Sequence, residues 1–434
     1  MTPATKTAKQ LGLFHNDSLI HQNPTCSPEN YFREGARICR GVVRRDGSTA
    51  VSSTTDVVDD GGNLSAAFDQ TWLRACASPS IRSDGPIIRV ADLFCGAGGM
   101  SIGINEACRA LGLTPRHIFA SDIQPVALAT YLRNFSPEHA DGEPIERSLN
   151  GAFGDPLTLE EKRLRRALGQ IDIAVGGPPC QGHSNLNNHT RRGDPKNSLY
   201  ERMARFAEVV KPTHLIIENV PGVKHDRGKV FDTTIAELRS LGYSVDWGKM
   251  RAESIGVPQR RHRAVVVASK SPVAVAGFID SLMVTYMQPR RSVAWAIEDL
   301  LDVTGNRPLD SVTKLSGESQ SRIDWMFDND QYDLPDQLRP DCHRLKTHSY
   351  KAVYGRLYWD EPAWTITTGF QVMGQGRFLH PKKRRVITSH EAARLQFFPD
   401  YFDFGTTNRK WYAKMIGNAV PSKLAYVLAL ELLR

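Results

Sequence analysis

A single cysteine, Cys180, stands on an unusually stiff stretch of the sequence. The apolar run IDIAV leads into GGPPC, so two glycines and two prolines come directly before the thiol. Proline fixes its own φ angle, which restricts where the sulfur can point. A thiol is intrinsically nucleophilic and ionises from a pKa near about 8.5, so an aimed cysteine suits covalent catalysis. Considered alone, Cys180 would by default be a buried, inert side chain.

Groups that could assist such a nucleophile follow other apolar runs. Glu218 and Asn219 end HLIIEN, and Arg261 and Arg263 lie in VPQRRHR. A carboxylic acid with a raised pKa can supply a proton to a reacting ring. Arg261 and Arg263 are two residues apart, so they share one face if this segment is a strand. Solubility or protection of a sheet edge is the alternative role for such arginines.

A glycine-rich turn earlier in the chain is typical of a cofactor site. Gly96 and Gly98 in DLFCGAGGMSIG let the backbone lie against a ligand beside a helix N-terminus. The dinucleotide fingerprint would need Gly or Ala where Ser101 stands. The next run ends at Asp122, where an acid would meet ribose hydroxyls. A ribose-bearing cofactor without a pyrophosphate signature predicts S-adenosylmethionine rather than NAD, and helix capping is the alternative role for Asp122.

The runs that carry these residues alternate with helical segments from residue 86 onward. IIRVADLF, HIFASD, IDIAVGG, HLIIENV and RAVVVAS are typical of strands, and the residues sharing one helical face after the first run are Met100, Ile104, Ala107 and Leu111. The alternation predicts an α/β fold with a doubly wound, mainly parallel sheet covered by helices. Such sheets bind ligands outside the carboxyl ends of their strands, so this fold would bring the candidate residues together.

We predict four parts in the chain. Residues 1–85 form an N-terminal extension of unknown role, and residues 86–270 form the catalytic and cofactor-binding domain. Strand and helix patterns no longer alternate over residues 271–384, which predicts a second, smaller domain. We expect residues 385–434 to pack against the catalytic domain again. The second domain mixes aromatic residues, mostly expected in its core, with basic residues that could bind phosphates: Trp325, Tyr350, Tyr354, Trp359 and Trp364, with Arg290, Arg291, Arg344, Lys346, Lys382, Lys383, Arg384 and Arg385.

Composition narrows the class of protein further. The chain has 434 residues, 41% apolar and 24% charged, as in an ordinary globular protein. A net charge of +8 favours a polyanionic partner, and a solvated basic surface is the alternative. The seven cysteines are irregularly spaced and predict neither a metal site nor a disulfide framework. We expect no membrane-spanning run and no signal segment, which predicts a cytoplasmic protein.

Six segments occur in the order found in cytosine-C5 DNA methyltransferases, and the chain resembles the bacterial and phage members of that family. The segments are DLFCGAGGMS, GGPPCQGHS, ENVPGV, VPQRRHR, EAARLQFFPD and IGNAVP. The resemblance covers about residues 86–270 and 350–434. It implies methyl transfer from S-adenosylmethionine to C5 of a cytosine flipped out of double-stranded DNA, with residues 271–384 as the target-recognition domain. It also implies a monomer associated with the nucleoid when bound to DNA, and a possible cognate restriction endonuclease.

The resemblance gives each candidate residue a role. Cys180 would attack cytosine C6, Glu218 would assist at N3, and Asn219 would orient the site. Arg263 would lie near cytosine O2 and Glu218, and Arg261 near the nucleophile or a phosphate. The implied cofactor contacts are Phe94, Gly96, Gly98, Asp122, Ile123, Asp155, Pro178, Asn418 and Val420.

Two residues depart from the family pattern, and three other functions stay open. His183 stands where the family usually has Phe, and His390 where it often has Arg; we expect structural roles for both. A tRNA cytosine-5 methyltransferase would share the chemistry, although the sizeable recognition segment favours duplex DNA. A non-catalytic DNA-binding relative would not need the intact Cys180 and Glu218. A Rossmann oxidoreductase is disfavoured by Ser101.

Overall fold

Strands and helices alternate along most of the chain, as the apolar runs predict. The computed structural model describes residues 27–56, 62–179, 199–226, 228–271, 275–303, 307–344 and 353–434. The strands are β1 Glu29–Glu34, β2 Arg37–Val43, β3 Thr49–Asp56, β4 Ile87–Leu93, β5 Thr114–Ser121, β6 His139–Asp141, β7 Ile173–Gly176, β8 His214–Asn219, β9 Ser244–Arg251, β10 Gln259–Arg260, β11 His262–Ser269 and β12 Ala363–Trp364. The helices are α1 Leu64–Arg74, α2 Gly99–Leu111, α3 Pro125–Phe135, α4 Ile145–Ser148, α5 Leu159–Leu168, α6 Glu201–Val210, α7 Val230–Ser240, α8 Phe278–Thr285, α9 Val293–Ile297, α10 Gly317–Asp328, α11 Asp341–Arg344, α12 Ser389–Leu395, α13 Arg409–Asn418 and α14 Ser422–Leu433.

Seven strands form one sheet in the order β6-β5-β4-β7-β8-β11-β9. The first five are parallel, so their carboxyl ends lie along one edge, and β11 is antiparallel to both of its neighbours. The amino-terminal end of β11 therefore meets the carboxyl end of β8 at that edge. The predicted doubly wound, mainly parallel α/β sheet is confirmed.

Helices cover both faces of the sheet with apolar side chains. Two consecutive residues of β8 show the arrangement. Ile216 packs into one core with α2 and α14, and Ile217 packs into another, on the opposite face, with α6 and α7. Since both faces of a parallel sheet are buried, its strands are apolar runs with polar residues confined to their ends. This explains why the candidate residues stand where each run stops.

The C-terminal helix α14 packs closely along α2. A side chain at Gly99 or Gly103 would clash with the carbonyl oxygens of Val420 and Ser422 respectively. These glycines therefore allow the C-terminal segment to reach the glycine-rich turn. The stretch Arg409–Leu433 would be long and apolar enough to cross a membrane by length and composition alone, but 78% of its most apolar window is buried inside the protein, which is typical of core helices.

Residues 29–74 form a small antiparallel sheet, β1-β2-β3, with α1 beside it. Arg40 is 1% exposed, donates to Glu106 of α2 at 2.8 Å, and lies over the rings of Phe68 and Tyr426 at 4.6 and 5.0 Å. The described part of the N-terminal extension is thus built into the same body as the large sheet. It holds the two helices, α2 and α14, that meet at the glycine-rich turn.

Residues 271–384, the predicted second domain, contribute to two separate hydrophobic cores. Helices α8 and α9 pack into the large core, whereas α10 forms a separate small core with residues of 353–386. The small core, defined by its buried side chains, contains Ile323, Met326, Leu334, Val353, Tyr354, Met373, Leu379 and Val386. The small core is therefore formed by the chain from α10 onward, whereas α8 and α9 belong to the large core.

His390 lies buried between two carboxylates. Its Nδ1 is 2.6 Å from Asp310 Oδ1 and its Nε2 is 2.8 Å from Asp400 Oδ1. Burial alone would lower the pKa of His390, but these hydrogen bonds raise it. Arg394 also pairs with Asp400 at 2.5 Å, so His390 belongs to an ion-pair network that holds α12 in place.

We predict that Arg40→Ala lowers the free energy of unfolding by about 3 kcal/mol, because it removes one partner of a buried ion pair. Urea unfolding at pH 7 measures the change. Arg82→Ala is the control: Arg82 and its partner Asp84 are both exposed, so the transition midpoint should stay where it is. An Arg40→Ala protein as stable as the wild type would show that the extension does not brace α2.

Candidate active site

The ends of four neighbouring strands bring the candidate residues to one edge of the sheet. β4 ends at Leu93, β5 at Ser121, β7 at Gly176 and β8 at Asn219. Cys180 follows β7 by four residues and lies, with His183, outside the described residues, which stop at Pro179 in this loop. The described part of the loop nevertheless fixes where its path begins.

Glu218 and Arg263 form an ion pair between β8 and β11. Glu218 Oε1 is 2.5 Å from Arg263 Nε, and the two side chains are only 10% and 12% exposed. A Cβ placed on Gly177 would lie 3.5 Å from Glu218 Oε2, an ordinary van der Waals contact, so the start of the loop that leads to Cys180 lies beside this carboxylate. The structure therefore brings together Glu218, Arg263 and the start of the cysteine loop.

Asn219 fastens that loop to β8. Its side chain is buried, donates from Nδ2 to the carbonyl oxygen of Pro178 at 3.2 Å, and accepts from the backbone N–H of Val220 at 2.8 Å. The carbonyl of Pro178 is thereby engaged by the protein itself. Because Pro178 and Pro179 have fixed φ angles, this anchor restricts the path of the chain towards Cys180.

The Arg261 side chain is hydrogen-bonded to main-chain carbonyl groups of the C-terminal part of the chain. It is 2% exposed, and its guanidinium donates to the carbonyl oxygens of Ile366 at 2.9 Å and Ala419 at 2.9 Å. The expectation that Arg261 and Arg263 share one face is not met, because residue 261 interrupts the strand between β10 and β11. Arg261 instead ties this part of the sheet to the segment IGNAVP.

The glycine-rich turn and Asp122 face each other across β4 and β5. Asp122 accepts from the backbone N–H groups of Gly96 at 2.8 Å and Gln124 at 2.7 Å, and burial raises its pKa. Gly98 has a φ of 95° and Phe94 a φ of 55°, which bend the chain tightly after β4. Ile123, next to Asp122, leaves 57% of its surface exposed.

These groups fit a nucleoside-bearing cofactor. No described atom lies within 4 Å of the position a Cβ would take on Gly96, so this turn leaves room for a ligand. Asp122 uses one acceptor site of each oxygen for the backbone, and a carboxylate has about four such sites in all. The remaining sites suit ribose hydroxyls, and the exposed Ile123 side chain suits an apolar base face.

Asp141 is an acidic residue at the same edge that sequence reasoning missed. It ends β6 and its carbonyl oxygen accepts from the N–H of Asp122 at 3.2 Å. Asp155, the acid chosen from the sequence, lies between α4 and α5, and its carbonyl oxygen accepts from Arg205 at 3.0 Å. The structure thus places Asp141, and not Asp155, at the strand ends. In the sequence, the only sign of this position is that an acid ends the segment HAD. A three-residue strand is too short to be detected from the alternation of apolar and polar residues.

A buried chain of polar groups lies beneath the glycine-rich turn. Ser101 Oγ donates to Asp92 Oδ2 at 2.7 Å and meets Tyr131 Oη at 2.8 Å, and Tyr131 meets His117 Nδ1 at 3.0 Å. His117 continues to Asn105 at 2.8 Å. Burial raises the pKa of Asp92 to about 7 and lowers that of His117 to about 3. Ser101, which breaks the dinucleotide fingerprint, is therefore part of the support of the turn.

The C-terminal segment returns to the glycine-rich turn through Val420. Its carbonyl oxygen lies 2.5 Å from the position that a Cβ on Gly99 would take, which is too close for a side chain there. The side chain of Val420 is buried. Asn418 ends α13 and is exposed. Among the described residues there is no group of three or more His, Cys, Asp or Glu side chains able to hold a metal ion.

Several basic side chains expected to bind phosphates are paired within the protein. Arg291 meets Asp69 at 2.6 Å, Arg384 meets Asp328 at 2.6 Å, and Arg385 meets the buried Glu391 at 2.7 Å. Arg344 pairs with Asp341 and Lys383 with Asp302, whereas Lys346 and Tyr350 lie outside the described residues. Arg291 and Arg385 are thus held in largely buried ion pairs, whereas the pairs formed by Arg344, Lys383 and Arg384 are solvent-exposed and contribute little to stability.

Comparison with known proteins supports the resemblance. The model of the C-5 cytosine-specific DNA methylase family matches residues 88–434. The chain is 46% identical to the Type II methyltransferase M1.BsuMI of Bacillus subtilis (strain 168), over 98% of each chain. It is 32% identical to the Type II methylase M.HgiDII of Herpetosiphon aurantiacus, over 80% of this chain and 95% of that protein.

Solved structures share the fold. A putative DNA modification methyltransferase encoded within an E. coli prophage matches 80% of this chain and 98% of its own, with a TM-score of 0.54 and 23% identity. The S. pombe Dnmt2 methyltransferase matches with the same coverage, a TM-score of 0.52 and 20% identity. At these identities the likeness concerns the fold alone.

We predict that Asp92 makes stability fall as the pH rises. Its folded pKa of about 7 lies above the unfolded value of about 3.9, so its contribution is fully present below pH 3.9 and is lost as the pH rises through 7. Urea unfolding at pH 5 and pH 8 measures the difference. Asp92→Asn keeps the acceptor for Ser101 but cannot ionise, so the variant should lose less stability between these two pH values. Equal losses in the two proteins would contradict the assignment.

Proposed function

The chain belongs to the C-5 cytosine-specific DNA methylase family, and on that premise we propose how its residues perform the reaction. The protein is a DNA (cytosine-5-)-methyltransferase that modifies cytosine in specific DNA sequences. The observation that supports the mechanism most strongly is the Glu218–Arg263 ion pair beside the anchored loop that leads to Cys180.

Cysteine addition activates the cytosine ring in this proposal. Cytosine C5 is a poor nucleophile, and bonding of the Cys180 thiolate to C6 pushes electrons towards N3 and makes C5 enamine-like. S-adenosylmethionine, when bound, supplies an electrophilic methyl group. After C5 has accepted this group, a base removes the C5 proton, the bond between sulfur and C6 breaks, and the thiolate leaves. The ring must be outside the DNA stack for the sulfur to reach it.

Glu218 assists the ring at N3 in this proposal. A hydrogen bond to N3 stabilises the negative charge that the sulfur addition sends into the ring. Arg263, paired with the same carboxylate at 2.5 Å, orients Glu218 and directs its own cationic group towards cytosine O2. Since both side chains are almost buried, their electrostatic effect on a bound ring is stronger than it would be in water.

Asn219 and Arg261 act as positioning residues. Asn219 holds the carbonyl of Pro178, so it sets the start of the cysteine loop. Arg261 holds the carbonyls of Ile366 and Ala419, so it joins the strand of Arg263 to the C-terminal segment. A displacement of about 1 Å at a reacting group can slow catalysis about 100-fold, which gives such anchors a catalytic effect without contact to the substrate.

The cofactor site that we propose combines the glycine-rich turn with the neighbouring strand ends. Phe94, Gly96 and Gly98 line the methionine part, Asp122 binds the ribose hydroxyls, and Ile123 packs on the adenine. Asp141 replaces Asp155 in the proposed set because it ends the strand beside Asp122. The C-terminal residues Asn418 and Val420 complete the pocket, with Pro178 at the entry of the cysteine loop.

The wider setting follows from the family. We propose that the enzyme acts in the cytoplasm as a monomer on nucleoid DNA, with a restriction endonuclease of the same specificity as its functional partner. We assign the target-recognition lobe to the part of the chain that includes the small core around α10. Residues 1–85 brace the catalytic domain through their described part.

We predict that Cys180→Ser abolishes methyl transfer while leaving cofactor binding within about 3-fold of wild type, because a hydroxyl is a far weaker nucleophile than a thiolate. Labelled S-adenosylmethionine is incubated with duplex DNA, with tRNA and without nucleic acid, and cofactor affinity is measured by calorimetry. Wild-type label should enter DNA alone. Label in tRNA alone would move the enzyme to the RNA alternative, and full turnover by Cys180→Ser would contradict the covalent mechanism. Cys76→Ser, at an exposed cysteine, is the control and should methylate DNA normally.

A further inference from the structure

Trp364 is fixed to the strand that leads into the catalytic pair. It lies in β12, whose parallel pairing with β10 sets Trp364 opposite Arg260. The backbone N–H of Ala363 donates to Pro258 at 2.9 Å, and Thr365 Oγ1 donates to the carbonyl of Arg260 at 2.7 Å. From Arg260 the chain continues over three residues to Arg263. The main chain at Trp364 is thus held rigidly beside the proposed active site.

The same pairing forces the indole outwards. Ala363 and Ile366 are fully buried on either side, whereas Trp364 is 40% exposed. It is the one aromatic residue among the exposed large hydrophobic side chains of the described part. An indole combines a large apolar face with a polar N–H, so an exposed ring at a fixed position offers a surface on which a ligand can pack.

One side of the indole is supported by a fixed cation. The guanidinium carbon of Arg377 lies 5.8 Å from the centre of the Trp364 ring. Arg377 is itself 6% exposed and donates to the carbonyls of Arg356 at 2.7 Å and Tyr332 at 3.2 Å. Because this support holds the ring, little rotational freedom is lost when a ligand packs on its free surface.

The ring also stands where the two cores meet. Ala363 and Ile366 belong to the large core, and Tyr354 and Met373, on either side of them in the sequence, belong to the small core. Three residues of chain span at most about 11 Å, so the backbone of Arg260, opposite Trp364, lies within about 11 Å of that of Arg263. The DNA major groove is about 12 Å wide, so a duplex whose cytosine reaches Glu218 is wide enough to extend to Trp364.

We infer that Trp364 stacks on a DNA base left exposed beside the target cytosine when that cytosine leaves the helix. The inference rests on the proposed function, because it concerns the same DNA at the same site. Flipping breaks base stacking on both sides of the nucleotide, and an indole face replaces part of the lost contact. Since every base has a π-face, this contact would favour flipping without selecting a sequence.

The test compares two duplexes that differ only opposite the target cytosine. Bisulfite sequencing of DNA methylated by the wild type first locates the site. One oligonucleotide then carries the normal guanine opposite the target and the other an abasic position, which makes flipping easier. Single-turnover transfer from labelled S-adenosylmethionine is measured on both for the wild type, Trp364→Ala, Trp364→Phe and Trp364→Leu. Leu159→Ala, which removes a side chain 59% exposed on α5, is the control.

We expect Trp364→Ala to slow transfer at least about 10-fold on the paired duplex and less than about 3-fold on the abasic one. Trp364→Phe should stay near wild type on both, and Trp364→Leu should behave like the alanine variant, because leucine fills volume but has no π-face. If Trp364→Ala fails to fold, the transfer rates of Trp364→Phe and Trp364→Leu on the paired duplex decide whether the ring stacks. Leu159→Ala should match the wild type on both duplexes.

Two results would overturn the inference and leave the proposed function intact. One is a Trp364→Ala rate equal to that of wild type on the paired duplex, and the other is an equal loss on both duplexes, which would indicate a contact unrelated to flipping. A Leu variant as active as the Phe variant would likewise exclude stacking. A wild-type protein that transfers no label to any DNA would instead refute the proposed function itself.

Discussion

The proposed active site depends on one reversal of strand direction. Five parallel strands bring their polar ends to one edge, but the arginine that pairs with Glu218 reaches it because β11 runs the opposite way. In this register Val265 lies opposite Glu218, and Arg263 extends just beyond the end of β8. A parallel β11 would carry Arg263 to the far end of the sheet. The antiparallel strand therefore creates the buried ion pair around which the cysteine loop is arranged.

Close approaches of backbone to backbone hold the rest of the site together. Gly99 and Gly103 let the C-terminal helix lie directly on α2, because a side chain at either position would clash with the carbonyl oxygen of Val420 or Ser422. Arg40, from the small N-terminal sheet, then clamps α2 by an ion pair that is almost fully buried. The cofactor turn, the catalytic pair and the C-terminal segment are in this way parts of a single packed unit.

Much of this was predictable from the sequence, and the failures have physical causes. The apolar runs predicted the strands of the sheet correctly because both faces of the sheet are buried. Glu218, Asn219 and Asp122 lie where those runs end. Arg261 and Arg263 do not share a face because a break of one residue separates β10 from β11, and no pattern in VPQRRHR reveals this break. Asp141 was missed because three residues are too few to show alternation. The pairing of basic residues such as Arg385 depends on distant carboxylates that only the fold brings near.

The central claim is that the sulfur of Cys180 bonds to the pyrimidine beside Glu218 and Arg263. The most direct measurement is trapping on a duplex that carries 5-fluorocytosine at the methylated position, with S-adenosylmethionine present, followed by mass spectrometry of the digested complex. Fluorine at C5 blocks the removal that normally frees the enzyme. The account predicts a stable protein–DNA adduct whose mass maps to the peptide containing Cys180. An adduct on another residue, or methylation of normal DNA with no adduct on the fluorinated duplex, would contradict it.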